Sequence, residues 1–246
     1  MLPKDRIDYI CKWIMNYASQ SSKNIFNLVI GVSGGIDSAV TSTLCAKTNL
    51  RTIVVSMPIR QNEIQHNLSL EHINWLKKNF NNIEDFTIKL DNVFKSFQST
   101  MKEFNSDLAY ANSRSRLRML TLYQIAQSTN SLVVGTGNKV EDFGIGFYTK
   151  YGDGGVDISP IADCYKTDVW EMGKELEISK NIINAKPTDG LWDDSRNDED
   201  QIGLSYKQLE EAMKNPKSQY FEKYNMTRKP NLHKMNPIPI CKFDKQ

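Results

Sequence analysis

A chain of 246 residues with 39% hydrophobic and 24% charged positions has the make-up of a globular protein and enough length to bury a good-sized core. Its formal net charge of +2 is close to balance, which removes any general electrostatic case for nucleic acid or an anionic membrane as the main partner. No stretch approaches the roughly 20 apolar residues of a membrane span, and MLPKDRIDYICKWIM places charges where a signal peptide needs an unbroken apolar run, so the cytoplasm is the expected compartment.

Residues 4 to 20 put Ile7, Ile10, Cys11, Ile14 and Met15 on one face at helical spacing, so an amphipathic helix comes first. Phe26 to Val32 is a short apolar run suited to a strand buried on both faces, and it leads into the glycine turn Ser33-Gly34-Gly35. A helix begins near Asp37. Thr52 to Pro58, Phe86 to Leu90 and Ser131 to Thr136 repeat the strand pattern, separated by helical segments around 64–79, 93–103 and 108–127. This alternation predicts an α/β fold, a doubly wound parallel sheet with flanking helices, in one domain over 1–246. Beyond Thr136 the glycine-rich FGIGFYTKYGDGGVD and the acidic PTDGLWDDSRNDEDQIG read as long loops, with helices at Lys166 to Leu176 and Ser205 to Met213 and a proline-containing tail of little periodicity from Lys229.

The four cysteines, Cys11, Cys45, Cys164 and Cys241, lie far apart with no CxxC pair, which argues against a zinc knuckle, a redox motif or a disulfide framework. The one basic cluster, Arg114, Arg116 and Arg118, is too small for a polyanion groove and sufficient for a phosphate pocket.

The turn GVSGGIDS comprises Gly31, Val32, Ser33, Gly34, Gly35, Ile36, Asp37 and Ser38, and it sits where a strand meets a helix. Glycines there let backbone N–H groups close around phosphate oxygens at the positive end of the helix. A Walker A loop would end in Gly-Lys-Ser/Thr, whereas Ile36 and Asp37 occupy that region, so a kinase or GTPase reading fails. An aspartate at the mouth of a phosphate loop is explained if it binds Mg²⁺. The plainer alternative is a glycine turn with a capping Asp37.

SGGIDS resembles the pyrophosphate loop of N-type ATP pyrophosphatases, which split ATP into AMP and pyrophosphate while adenylating a substrate oxygen. GTGNKVED (135–142), FYTKYGDGGVDISP (147–160), KPTDGLW (186–192) and His233-Lys234 occur in the order and approximate spacing found in the NAD synthetases of that group. The resemblance implies an adenine nucleotide alpha hydrolase-like fold and ATP-dependent amidation of deamido-NAD to NAD. It makes Asp37 and Glu141 Mg²⁺ ligands, with Lys166 and Thr188 at the ATP phosphates and Thr136 beside ATP; Arg60 matches an ATP-approaching position more loosely. Arg116, Lys150, Asp157, His233 and Lys234 match positions that contact deamido-NAD, the last two from the tail of a partner in a homodimer. Asp37, Glu141 and Lys166 are the expected catalytic set. Without the resemblance, Glu141 reads as a solvated loop residue, and Lys150 and Lys166 as solvent-facing lysines.

Arg114 and Arg118, four residues apart and off the Arg116 face, read as surface charge or phosphate support. Asp153 or Asp157 is a candidate for deprotonating ammonium, and the loops around 142–155 and 188–202 are candidate lids. Gly137-Asn138 replaces the Asp-His of many ammonia-dependent enzymes and resembles the glutamine-dependent branch. Only a short segment precedes the first strand, however, so free ammonia is the expected donor, with a separate glutaminase as the other source. Two other readings compete: a tRNA-modifying ATP pyrophosphatase, which calls for a basic face or paired cysteines, and a non-catalytic nucleotide sensor, which has no need of a metal pair.

Overall fold

The computed structural model describes residues 1–20, 27–188, 190–191 and 197–243. Phe26, at the start of the first expected strand, and Trp192 with much of the acidic run lie outside them. Helix α1 (Pro3–Gln20) precedes β1 (Asn27–Gly31), α2 (Ile36–Lys47), β2 (Arg51–Ser56), α3 (Glu63–Asn79), β3 (Ile83–Thr87), α4 (Asp91–Thr100), α5 (Asp107–Thr129) and β4 (Ser131–Val133). The four strands form one parallel sheet in the order β3-β2-β1-β4.

Side-chain alternation on the two central strands makes the layers. Leu28, Ile30 and Val54 point to one face, where α1, α2 and α3 supply Ile7, Ile14, Leu44 and Leu76. Val29, Ile53 and Val55 point to the other, against Phe94 of α4 and Ala126 of α5. The chain moves outward from β1 through β2 to β3, then crosses back to β4 on the other side of β1. A crevice therefore opens at the carboxyl ends of β1 and β4, the switch point where ligands of such sheets bind.

A π-helical turn (Lys139–Ile145) follows β4, and then come α6 (Lys166–Glu175), α7 (Lys180–Ile183), α8 (Asp198–Ile202), α9 (Tyr206–Lys214) and α10 (Phe221–Arg228), with α11 (Leu232–Met235) in the tail. Val140, Ile145, Ile202, Leu204, Leu209 and Tyr224 form a third apolar cluster that seats the π-helical turn on α8, α9 and α10. The acidic run is thus not loop throughout: α8 buries Asp198 and Ile202, and Asn197 caps its start by accepting from the Asp200 N–H. The expected tail irregularity is likewise corrected by α11.

Helix α2 is buried almost all round, and its hydroxyls turn inward onto the preceding helical turn, Ser42 Oγ donating to Ser38 O at 2.7 Å and Thr43 Oγ1 to Ala39 O at 2.7 Å. His72 of α3, 1% exposed, sits 3.0 Å from Ser42 Oγ and stacks on Trp75. Burial pulls its pKa down from 6.5 to about 4. Between those values the unfolded chain takes up a proton that the folded one refuses, so stability is full above pH 6.5 and falls as the pH drops towards 4. The expected loss at pH 5 relative to pH 7.5 is about 2 kcal/mol from this residue. Chemical denaturation at the two pH values checks it, and His72→Gln should flatten the difference.

Candidate active site

The turn after β1 builds an anion cradle. Gly34 has φ +93°, and its turn is held by Ser33 N–H and Ser38 Oγ (3.2 Å), Gly35 N–H and Ser33 Oγ (3.3 Å), and Ser38 Oγ donating to Gly35 O (2.9 Å). Gly35 occupies the N-cap of α2 with no side-chain cap. The first-turn N–H groups of Ile36, Asp37 and Ser38 have no intrahelical acceptor, and they point positive charge into the crevice.

Asp37, in that first turn, meets Glu141 from beyond β4. Lys166 Nζ lies between them, 2.5 Å from Asp37 Oδ2 and 2.9 Å from Glu141 Oε1, with the lysine 1% exposed. Four contacts fix the first turn of α6, which carries Lys166: Tyr165 N–H donates to Asp168, Thr167 N–H and Oγ1 donate to the buried Glu210, and Arg6 of α1 pairs with Asp168 at 3.0 Å. Burial is the largest influence on both carboxyls. It raises the pKa of Asp37 against the pull of Lys166; at Glu141 the Lys166 charge and the Tyr206 hydroxyl outweigh it, and the pKa falls below the usual carboxylate range. Burial together with Asp153, Glu141 and Asp37 pushes the neighbouring Asp142 well above its ordinary value.

Among the described residues no group of three or more His, Cys, Asp or Glu could hold a metal by itself. Asp37 and Glu141 nevertheless converge on one cation, and an oxygen-only pair of this kind suits Mg²⁺ that takes its other ligands from phosphates and water. The donor chemistry fits.

Sequence reasoning missed two residues that bond to this charged cluster. Asn138 is fully buried; its Nδ2 donates to Asp37 Oδ1 at 3.1 Å while its Oδ1 accepts from the N–H groups of Val140 and Glu141. It caps the turn bearing Glu141 and holds Asp37 at the same time. The available signal was an asparagine just past a strand and three residues before Glu141. Tyr206 donates towards Glu141 Oε1 at 2.6 Å from the start of α9, next to the Ser205 cap, and nothing local marks it.

The glycine-rich segment lines the outer wall. Asp153 Oδ1 accepts from Ser115 Oγ (2.6 Å) and Thr149 N–H (3.0 Å), and Thr149 Oγ1 donates to Asn112 Oδ1, so this candidate lid is tied to α5. Lys150 Nζ donates to His233 O, Arg116 Nε to Lys150 O, and Lys234 Nζ to the carbonyls of Gly146 and Tyr148, gathering four of the five expected dinucleotide residues on one wall of the same chain. The fifth, Asp157, lies at the end of β4, where its Oδ2 accepts from Val133 N–H at 2.8 Å and its Oδ1 from the Tyr123 hydroxyl. Arg60 reaches across Phe94 to Gln98 of α4, and Thr188 Oγ1 accepts from Gly190 N–H. One arginine corrects the sequence reading: Arg114 is buried over the Phe94 ring and donates to Leu191 O at 3.0 Å, so it is not surface charge. Arg118 is partly exposed and donates to Met57 O at 3.1 Å, and both tie α5 to loops.

A parallel α/β sheet with a glycine phosphate cradle at its switch point, faced by two carboxylates and a buried lysine, defines a nucleotide-binding α/β protein of the adenine nucleotide alpha hydrolase kind. The sequence model of the NAD synthase family matches residues 6–238, and the chain belongs to that family. It is 37% identical over 220 residues to the NH(3)-dependent NAD(+) synthetase of Thermoplasma acidophilum, covering 85% of this chain and 83% of that one. Among solved structures it resembles NMN synthetase from Francisella tularensis (TM-score 0.91, 32% identity, 99% of this chain and 100% of the other). It also resembles the NH3-dependent NAD synthetase of Campylobacter jejuni (TM-score 0.79, 25% identity, 98% and 100%).

Proposed function

We propose that this chain is a carbon–nitrogen ligase, one catalytic unit over 1–246, that uses ATP and ammonia to convert the nicotinate carboxylate of deamido-NAD into the carboxamide of NAD. The observation that carries the proposal is the Lys166 ammonium held between Asp37 and Glu141 at the mouth of the phosphate cradle, in a chain of the NAD synthase family. A carboxylate accepts ammonia poorly because oxide is its leaving group, so it must be activated. Its oxygen attacks the α-phosphorus of ATP, pyrophosphate leaves into the Ser33–Ser38 cradle, Lys166 offsets the developing charge, and ammonia then displaces AMP. Mg²⁺, held by Asp37 and Glu141, would neutralise phosphate charge. No protein nucleophile is needed; these residues orient the reactants and stabilise charge. Arg116, Lys150, Asp157, His233 and Lys234 hold the dinucleotide, with Thr136, Thr188 and Arg60 on the ATP side. A second copy of this chain covers the apolar side chains that α4 and α5 leave exposed, Val93, Phe97, Leu108 and Leu120. No described helix is long and apolar enough to cross a membrane, which is consistent with work in the cytoplasm.

A second reading has one observation in its favour, the likeness to a solved NMN synthetase over the whole of both chains. Under it the acceptor is nicotinate mononucleotide, which has the same carboxylate and lacks the AMP half. The purified chain should be assayed with ATP, Mg²⁺ and either acceptor, with ammonium or glutamine, and its mass measured by light scattering. A higher kcat/KM for deamido-NAD with ammonium is the expected result, at twice the 28.2 kDa chain mass. Preference for the mononucleotide would install the second reading, and no amide from either acceptor would return the chain to a non-catalytic nucleotide binder.

A further inference from the structure

Tyr206 stands inside the charged cluster, yet the reaction as described above gives it no task. The residue is 1% exposed. Its ring packs edge-on against Trp170, with centroids 5.8 Å apart at 86°, and lies 4.7 Å from the Lys166 ammonium. Its hydroxyl is 2.6 Å from Glu141 Oε1 and 3.0 Å from Asp198 Oδ2. Glu141 Oε1 is the same oxygen that accepts from Lys166 Nζ. One side chain therefore touches both members of the ion pair, the lysine through its π face and the glutamate through its hydroxyl.

A residue that only filled the third apolar cluster would need the ring alone. A buried hydroxyl is costly unless bonded, and this one has a single proton to give: Glu141 Oε1, from the turn after β4, is the nearer acceptor at 2.6 Å, and Asp198 Oδ2, from the first turn of α8, lies 3.0 Å from the same oxygen. With the ring closing one side of the Lys166 ammonium and Glu141 held from behind, the remaining direction for the ammonium is towards Asp37 and the phosphate cradle. Adenylation gains rate from charges already aligned with the departing pyrophosphate, and a small misplacement of such a group costs rate far more than affinity.

We propose that Tyr206 is a positioning residue for the adenylation step: its hydroxyl sets the Glu141 carboxylate and its ring sets Lys166, and the contact of the same hydroxyl with Asp198 places both beside α8 at the end of the acidic run. The inference rests on the ligase reading and adds to it a residue that acts through Glu141 without touching substrate.

The test is Tyr206→Phe, which keeps the ring, its packing on Trp170 and its face towards Lys166 and removes only the hydroxyl. Pyrophosphate release in a single turnover without ammonia should fall about 10- to 100-fold, with KM for ATP and for the acid acceptor within about two-fold of the parent. In a Glu141→Gln background the same change should cost less than about three-fold, because a residue that acts through Glu141 has little left to lose once that carboxylate is gone. A parent-like rate in Tyr206→Phe would overturn the proposal, as would an undiminished loss in the Glu141→Gln background. A deficit that vanishes when the variant is assayed well below its melting temperature would make the hydroxyl a matter of fold alone and overturn it too. Parent enzyme run alongside separates the two levels: amide formation by the parent with an unaffected variant sinks Tyr206 only, and no amide from the parent sinks the ligase reading and this inference with it.

Discussion

Lys166→Met is expected to lower the rate of amide formation by about a thousand-fold or more, and to make the fold's stability fall as the pH rises. Methionine keeps most of the length of the stem and removes the charge. In the parent the ammonium is bonded to Asp37 at 2.5 Å and to Glu141 at 2.9 Å, away from solvent. Without it, two carboxylates face each other in a desolvated pocket, and breaking a buried pair in this way typically costs about 3–5 kcal/mol. The chain can reduce that cost by keeping a proton on one carboxyl. Asp37 is the one expected to take it, since burial already raises its pKa, while Glu141 retains the Tyr206 hydroxyl as a donor that favours its ionised form. A carboxyl whose folded pKa lies above its unfolded value contributes stability below the unfolded pKa and loses it as the pH rises through the folded one. Lys166→Met should therefore melt lower at pH 8 than at pH 5.5 relative to the parent at the same two values. Equal displacement at both would mean that the ammonium does not hold two ionised carboxylates together. Lys166→Arg should not rescue activity, because a planar guanidinium needs space that a site this closed does not offer.

The parts of this arrangement that could be read from sequence are those whose cause is local. Strands β1 and β2 are central and buried on both faces, so an unbroken apolar run marks them, and the glycine turn announces the cradle by its own composition. Strand β3 was expected at Phe86 to Leu90 and lies at Ile83–Thr87. It is an edge strand with half-exposed side chains, fixed by its register with β2, whereas Ile88 and Leu90 are apolar because they pack beneath α4 after the strand has ended. Strand β4 ends at Val133, and Val134, whose N–H still donates to Val29 O of β1, adds a parallel bridge to Ile158 that the sequence does not mark. In the site, Asp37 was legible from the glycine turn that carries it, and Glu141 and Lys166 only through resemblance to a family. Asn138 lies 101 residues from its partner Asp37, and Tyr206 lies 65 from Glu141. Pairings of that span are decided by how the third apolar cluster seats the π-helical turn on α9, which no periodicity records. Arg114 was misread for the same reason: its helix spacing carries no sign that Phe94 and Leu191 will close over it.

The second large effect is expected at Gly34, and its neighbour supplies the control. A Cβ on Gly34 would lie 2.4 Å from the Gln65 carbonyl oxygen, 3.0 Å from the Ser69 nitrogen and 3.2 Å from Leu68 Cβ, and the residue sits at φ +93°, a conformation that side-chain-bearing residues rarely adopt. Two of the three obstacles are backbone of α3. That helix cannot withdraw cheaply, because Ser69 Oγ donates to Val32 O at 2.7 Å and holds it against the end of β1. Gly34→Ala must therefore rotate the turn, which breaks the Ser33–Ser38 bonds and scatters the N–H groups aimed at phosphate. The expected cost is about 2–4 kcal/mol of stability, with ATP affinity lowered by at least about 100-fold. At Gly35 the added carbon meets only Ser33 Oγ at 3.5 Å, an ordinary contact, and φ is −86°. Gly35→Ala should lose no more than about 1 kcal/mol, the ordinary penalty for alanine at an N-cap. Melting curves and ATP titrations of the two variants side by side separate the causes. If both melt alike, steric closure by α3 is not what makes Gly34 a glycine. If Gly34→Ala melts low yet binds ATP as the parent does, the cradle tolerates a rotated turn and phosphate recognition rests on the α2 N-terminus alone.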